Sequence, residues 1–121
     1  MERDQVMAWV ARYERAWRTA GTDVLAELFT EDATYSQGPY REPVRGRPAI
    51  ALMWDAERAG PDEAFTMDSE VVAVDGDTGV VRVEVRYGRP DKEQFRDLWI
   101  MRFAEDGRCR HFEEWPYAPG S

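Results

Sequence analysis

The chain has 121 residues, the length of one ordinary domain, and 43% of them are hydrophobic, which suffices for one buried core. Its 16 basic and 24 acidic residues give a formal net charge of −8, which disfavours nucleic acids and anionic membrane surfaces as partners. With one cysteine, one histidine and no apolar run at its start, the chain offers no disulfide, no usual metal site and no signal peptide, so we expect a single cytoplasmic domain over residues 1–121 without metal or cofactor.

The start of the chain predicts two helices. Apolar residues recur at three- and four-residue steps over residues 3–20 and so share one face of a long helix. Gly21 ends this helix, and Thr22 offers an N-cap for a short second helix that continues to Phe29. Residues 33–36 are typical of a strand that leaves it.

A loop and a third helix follow. Residues 37–48 contain three prolines and two glycines, which indicates an ordered loop without a regular element. Pro48 favours the first position of a helix whose buried face carries Ile50 and Trp54 and which Gly60 ends.

The second half of the chain predicts strands. Hydrophobic residues alternate with polar ones over 65–74, 80–87, 95–103 and 108–115, and short turns join the first pair and the last pair. Helices followed by an antiparallel meander predict an α+β fold, with three N-terminal helices packed against one face of a curved sheet.

Alternation also predicts which side chains face the helices. Asp97 and Trp99 share the inner face of the third long strand. On the last strand, Arg110 and Glu114 are predicted to face inward, together with Phe112, whereas Cys109 and His111 face outward. A bulge would exchange these two sets, so the prediction depends on there being none.

At this point the sequence resembles a known family. The segments LAELFTEDATY (25–35), GPYREPVRGRPAI (38–50) and FEEW (112–115), after a long first helix, resemble the SnoaL-like branch of the nuclear transport factor 2-like superfamily. The resemblance covers nearly the whole chain. It implies a cystatin-like cone, in which a strongly curved, mainly antiparallel sheet holds the helices in its concave face and leaves an apolar cavity, commonly in a homodimer.

The ketosteroid isomerases are the nearest catalytic relatives by this pattern. Matching the segments places Tyr13 where these enzymes have the tyrosine that holds the oxyanion, Gln37 where they have the aspartate base, and Trp99 where they have a protonated acid. An amide side chain cannot take a proton at neutral pH, so the resemblance does not carry the steroid-isomerase mechanism over.

Two carboxylates could supply the missing base. If Asp97 and Glu114 face an apolar cavity, burial would raise their pKa values toward the range of a working general acid or base. The alternative is that they pair with Arg86 or Arg110 on neighbouring strands. We take Tyr13, Glu114 and Asp97 as candidate catalytic residues.

A second set of residues is predicted to contact the ligand. Its members are aromatic, apolar or amide side chains that are expected on the inner face or at the rim: Trp17, Gln37, Tyr40, Trp54, Val83, Val85, Tyr87, Trp99, Met101 and Phe112. For the aromatic members, plain core packing is the alternative, and for Gln37 and Tyr40 it is turn chemistry.

Three functions are compatible with these residues. The first is a pocket for a small apolar or aromatic molecule, with isomerase or lyase chemistry in which a carboxylate abstracts a proton next to a carbonyl and Tyr13 and Gln37 stabilise the enolate. The second is a non-catalytic dimerising module, whose cavity would be collapsed around Trp17 and Trp99. The third is a passive carrier of a hydrophobic ligand.

Overall fold

The computed structural model describes residues 1–58, 64–88 and 93–120. Its helices are α1 (Arg3–Trp17), α2 (Leu25–Leu28) and α3 (Arg47–Glu57). Its strands are β1 (Phe29–Ser36), β2 (Val44–Arg45), β3 (Phe65–Asp75), β4 (Thr78–Tyr87), β5 (Glu93–Phe103) and β6 (Cys109–Tyr117). The chain is therefore α+β, as its patterns predict, although β1 and β2 lie between the second and the third helix.

The strands form one six-stranded sheet with the order β2-β1-β6-β5-β4-β3. The meander from β3 to β6 is antiparallel, whereas β1 runs parallel to β6, so the sheet is mixed. Strand β2 corrects the prediction of a loop without regular structure. It pairs with β1 at Thr34 and Tyr35, and the Gly46 N–H donates to the Ala33 carbonyl at 2.7 Å, which satisfies backbone groups at the edge of the sheet.

Helix α1 buries one face against the sheet. It begins with a capping box between Glu2 and Gln5, which satisfies backbone donors that would otherwise lack partners. Its buried residues follow the predicted spacing: Val6, Trp9, Val10, Tyr13 and Ala16. The helix ends at Trp17, earlier than predicted, and the chain turns back at Gly21, whose φ of 81° suits a residue without a side chain.

The other helices differ from prediction at their ends. Phe29 is extended and begins β1, so α2 stops at Leu28. Helix α3 begins at Arg47, with Pro48 in its first turn, and it ends at Glu57. Its predicted end at Gly60 lies outside the described residues. No described helix is long and apolar enough to cross a membrane.

A bulge in β6 corrects the predicted faces of its first residues. Arg102 pairs with His111, but the next residue, Phe103, pairs with Cys109, so Arg110 is the extra residue. Cys109 is consequently buried inside, and Arg110 is exposed, the reverse of the prediction. Residues after the bulge keep the predicted alternation, because the register is regular from His111 onward.

Candidate functional site

A cavity of about 410 Å³ lies beside the C-terminal half of α1. Every element from β3 to β6 contributes to its wall, together with α1, α3, β1 and the loop after β1. The lining residues are Tyr13, Trp17, Tyr35, Gln37, Arg41, Met53, Glu57, Phe65, Met67, Val85, Tyr87, Glu93, Phe95, Asp97, Trp99, Glu114 and Pro116. A volume of this size can hold a small organic molecule.

Two tyrosines form a hydrogen-bonded pair in the wall. The hydroxyls of Tyr13 and Tyr35 lie 2.7 Å apart and are buried. Burial, and the nearby carboxyl of Glu114, raise the pKa of both phenols well above the usual value of 10.0, so both stay protonated at neutral pH. Since only one proton lies between the two oxygens, the other hydroxyl proton is available to a ligand oxygen.

Asp97 is a buried carboxyl that is only half satisfied. Its side chain is 8% exposed, and the Trp99 Nε1–H donates to its Oδ2 at 3.4 Å. Its Oδ1 is buried and has no hydrogen-bond partner in the described part of the chain. Burial raises the pKa of Asp97 from 3.8 to about 6, although the bond from Trp99 opposes this change.

Glu114 faces the cavity from β6. Burial, and to a smaller extent the carboxyls of Asp97 and Glu57, raise its pKa from 4.5 to about 8, although the charge of Arg41 opposes this change. No hydrogen bond or ion pair joins its carboxyl to another side chain within the described ranges. A carboxyl with a pKa near neutrality can both donate and accept a proton at physiological pH.

The arginines that could have neutralised these carboxyls are engaged elsewhere. Arg86 bonds to Glu84 on the outer face of the sheet, and Arg110 bonds to Asp77 at 2.7 Å. Neither of these two contacts involves Asp97 or Glu114, and burial is the largest cause of the raised pKa of both carboxyls.

The structure brings eight of the predicted site residues to the cavity and leaves five elsewhere. Those in the wall are Tyr13, Trp17, Gln37, Val85, Tyr87, Asp97, Trp99 and Glu114. Val83, Met101 and Phe112 are fully buried in the packed core, where they contact other side chains rather than open space. Trp54 supports the wall from behind, with its ring 4.8 Å from that of Trp17. Tyr40 is 100% exposed, because the turn after Gly38 directs it to solvent.

Several lining residues were missed by the sequence analysis. Strand alternation could have identified Phe95, which shares a face with Asp97 and Trp99, and likewise Phe65 and Met67 on β3. No comparable pattern identifies the charged residues Arg41, Glu57 and Glu93, whose positions depend on how the loop, α3 and β5 meet. Tyr35 was quoted within a motif, but its partnership with Tyr13 is a tertiary contact.

Gln37 lies in the cavity wall, whereas His111 lies on the outer face of the sheet, and each contacts neighbouring side chains. Gln37 donates weakly to Glu57, at 3.5 Å. His111 lies on the outer face, as predicted, where its Nδ1 is 2.6 Å from the Thr34 hydroxyl and its Nε2 is 3.2 Å from a Glu113 oxygen. The described residues contain no cluster of His, Cys, Asp or Glu that could hold a metal ion.

Solved structures share this fold. A provisionally named ketosteroid isomerase from Kribbella flavida aligns with a TM-score of 0.69 at 20% identity, over 98% of this chain and 80% of that one. SalBIII, an epoxide hydrolase/cyclase-like enzyme of pyran ring formation in salinomycin, aligns with a TM-score of 0.76 at 18% identity, over 97% and 95%. An NTF-2 like protein of unknown function from Burkholderia xenovorans aligns with a TM-score of 0.74 at 14% identity, over 98% and 87%.

At these identities the likeness shows the fold and not the activity. No curated protein matches the sequence. The family model of the SnoaL-like domain matches residues 10–112, which include most of the cavity wall. The chain therefore belongs to the SnoaL-like domain family.

Proposed function

We propose that this protein is a cofactor-independent enzyme of isomerase or lyase type that binds a small organic molecule in the cavity and transfers a proton through Glu114. The observation that carries the proposal is the carboxyl of Glu114, which lines the cavity, has no hydrogen-bond or ion-pair partner among the described residues, and has a pKa of about 8. A general base or acid works best when its pKa lies near the operating pH.

The neighbouring groups suit this chemistry. A carbonyl oxygen of the substrate would accept a hydrogen bond from the Tyr13–Tyr35 pair, whose buried hydroxyls can stabilise the developing enolate. Glu114 then removes the proton next to that carbonyl. In an isomerase it returns this proton to another carbon of the enolate, and in a lyase the enolate electrons form a double bond and expel from the β-carbon a leaving group, to which Glu114 donates the proton. Asp97 supports the step because its negative charge makes Glu114 a stronger base.

Gln37 keeps a secondary role in this proposal. It lies in the wall and could donate its amide N–H to a polar substituent of the substrate, but it cannot take a proton. The names of the structural neighbours, which include an isomerase and an epoxide hydrolase/cyclase-like enzyme, are compatible with acid–base chemistry in the shared fold. We also propose that the curved sheet encloses the cavity as a cone, that the protein forms a homodimer, and that it is located in the cytoplasm.

A passive ligand carrier is the second candidate. It would use the same cavity, and the amide at Gln37, where the steroid isomerases have their base, favours it. The third reading, a dimerising module, expects a cavity collapsed around Trp17 and Trp99, whereas both tryptophans line a cavity of about 410 Å³.

Deuterium exchange next to a carbonyl distinguishes these functions without knowledge of the natural substrate. The purified protein is incubated in D₂O with 1-tetralone and with 2-methylcyclohexanone, and loss of the proton signal at the carbon beside the carbonyl is followed by NMR. We expect Glu114→Gln to lower the protein-catalysed rate by about 10² to 10⁴.

Glu113→Gln is the matched control, because Glu113 is the preceding residue of β6 but bonds to His111 and Trp115 on the outer face. It should leave the exchange rate unchanged. Full exchange activity in Glu114→Gln would remove Glu114 from the mechanism. Saturable binding of both ketones without exchange would favour the carrier.

A further inference from the structure

The charges that line the cavity are strongly unbalanced. Four carboxyl side chains, those of Glu57, Glu93, Asp97 and Glu114, face one guanidinium, that of Arg41, among the described lining residues. The net charge of the whole chain is also negative, with a formal value of −8. A negative cavity in a negative protein attracts cations and repels anions.

Asp97 identifies where a positive group would lie. The residue is more than nine-tenths buried, it lines the cavity, and one of its oxygens receives no hydrogen bond from the described residues. Trp99 supplies a donor to the other oxygen only. A buried carboxylate without a full set of donors is unfavourable, so the site is incomplete until a ligand brings a donor or a positive charge.

The walls around Asp97 favour a cation over a neutral donor. Seven lining residues are aromatic, and they include Trp99 and Phe95 on the strand of Asp97, and Trp17 on α1. The faces of aromatic rings attract ammonium groups, most strongly where water is excluded. A neutral hydroxyl or amide would satisfy the free oxygen of Asp97, but it would gain less from the rings than a cation does.

We propose that the ligand of this cavity is a small organic cation, an amine or a quaternary ammonium compound with an apolar body, and that its positively charged nitrogen lies against Asp97. This inference rests on the proposed function in one respect, since it places the substrate in the same cavity and leaves Glu114 as the proton-transfer group.

The two assignments reinforce each other. The charge of Asp97 raises the pKa of Glu114 in the free protein. A cation bound at Asp97 would offset that repulsion and lower the pKa of Glu114, so binding of the substrate would itself favour the ionised base. A neutral analogue would bind without this effect.

Three simple probes test the charge preference. Phenyltrimethylammonium is the cation, tert-butylbenzene is its neutral isostere, and benzoate is an anion of similar size. Binding at pH 8 is followed by the indole N–H signals of Trp17 and Trp99, while Trp115, which bonds to Glu113 on the outer face, is the internal reference. We expect the cation to bind about tenfold more tightly than the isostere.

Variants then identify the residue that causes the preference for the cation. Asp97→Asn should clearly reduce the ratio of cation to isostere affinity, whereas Asp68→Asn, which removes an exposed carboxylate on β3 outside the cavity, should preserve it. Equal binding of cation and isostere, tighter binding of benzoate, no binding of the cation at millimolar concentration, or an unchanged preference in Asp97→Asn would each overturn the inference.

A pH series on the unmodified protein provides a test that leaves Asp97 in place. Affinity for the cation should increase as Asp97 ionises with a pKa of about 6. The other charged or titratable groups that line the cavity are Glu57, Glu93, Glu114, Arg41, Tyr13, Tyr35 and Tyr87. Because Glu114 titrates at higher pH, the same series in Glu114→Gln isolates the step that belongs to Asp97. A flat profile between pH 5 and pH 7 contradicts the inference.

Failure here and failure of the proposed function are distinguishable. The probes carry no exchangeable proton beside a carbonyl, so they report binding alone. Ketone exchange that depends on Glu114 without any preference for cations would overturn only the ligand class. A preference for cations without exchange would overturn only the catalytic role.

Discussion

The two ends of α1 face two different environments. At Trp9 the ring contacts Phe29, Phe103 and Phe112, and its Nε1–H donates to the Leu28 carbonyl at 3.0 Å. At Trp17 the ring borders the cavity, and its Nε1–H is buried without a partner. One helix thus joins a packed end, centred on Trp9, to a cavity end, centred on Trp17.

The difference lies in how polar atoms are satisfied. Four buried side-chain atoms lack hydrogen-bond partners in the described part of the chain: Trp17 Nε1, Trp54 Nε1, Arg58 Nε and Asp97 Oδ1. Trp17 and Asp97 line the cavity, and the ring of Trp54 lies 5.1 Å from that of Tyr13. Because such atoms cost stability, their concentration at one end supports the proposal that this end binds a ligand.

The largest expected effect is the loss of stability when each end loses its tryptophan. Trp9→Ala leaves a hole in a fully enclosed cluster and should lower the free energy of unfolding by about 3–5 kcal/mol. Trp17→Ala enlarges an existing cavity and removes an unsatisfied donor, so it should cost roughly half as much. Urea unfolding, followed by circular dichroism, measures both.

Trp9→Phe is the companion variant if Trp9→Ala does not fold, and its cost should still exceed that of Trp17→Phe. Equal losses at the two positions would mean that the cavity end is packed as tightly as the other, and the contrast between the ends would not hold.

The pH dependence of stability gives a second, smaller contrast. Asp97 titrates at about 6 in the folded protein, against 3.8 for an ordinary aspartate. Below both pKa values the group is protonated in both states, and between them only the unfolded state has released the proton, so the folded state loses stability as the pH rises. Asp97→Asn removes this loss and should be more stable than the unmodified protein by roughly 2 kcal/mol at pH 8.

The advantage of Asp97→Asn should disappear below pH 4, where the carboxyl is protonated in both states. Asp68→Asn, at an exposed position, should show no comparable dependence on pH. A variant that is less stable than the unmodified protein at pH 8 would indicate that the Asp97 carboxylate has a favourable partner.

The fold was largely predictable because its signals are local. The spacing of Val6, Trp9 and Tyr13 predicts α1, and alternation predicts the four long strands within a few residues. The features that the sequence did not predict depend on tertiary contacts. The bulge at Arg110 and the short strand β2 satisfy pairing with neighbouring strands, and nothing in the local sequence marks them.

The site was partly predictable for the same reason. Tyr13, Asp97 and Glu114 were placed in the wall by helical spacing and by strand alternation, which the bulge leaves intact from His111 onward. Alternation predicts which face of a strand a side chain occupies. It does not predict where along the strand the packed core ends and the cavity begins. Val83 and Val85 share a face of β4, yet only Val85 reaches the cavity.

The smallest expected effect concerns Tyr40, which the sequence analysis assigned to the rim. The structure exposes this side chain fully, so Tyr40→Ala should change the free energy of unfolding by less than about 0.5 kcal/mol and leave the affinity for phenyltrimethylammonium unaltered. Tyr87→Ala is the comparison, because Tyr87 lines the cavity and its loss should weaken binding of the same probe. If Tyr40→Ala weakens binding as much as Tyr87→Ala does, the loop after β1 closes over the bound ligand, and the cavity end extends further than its lining residues indicate.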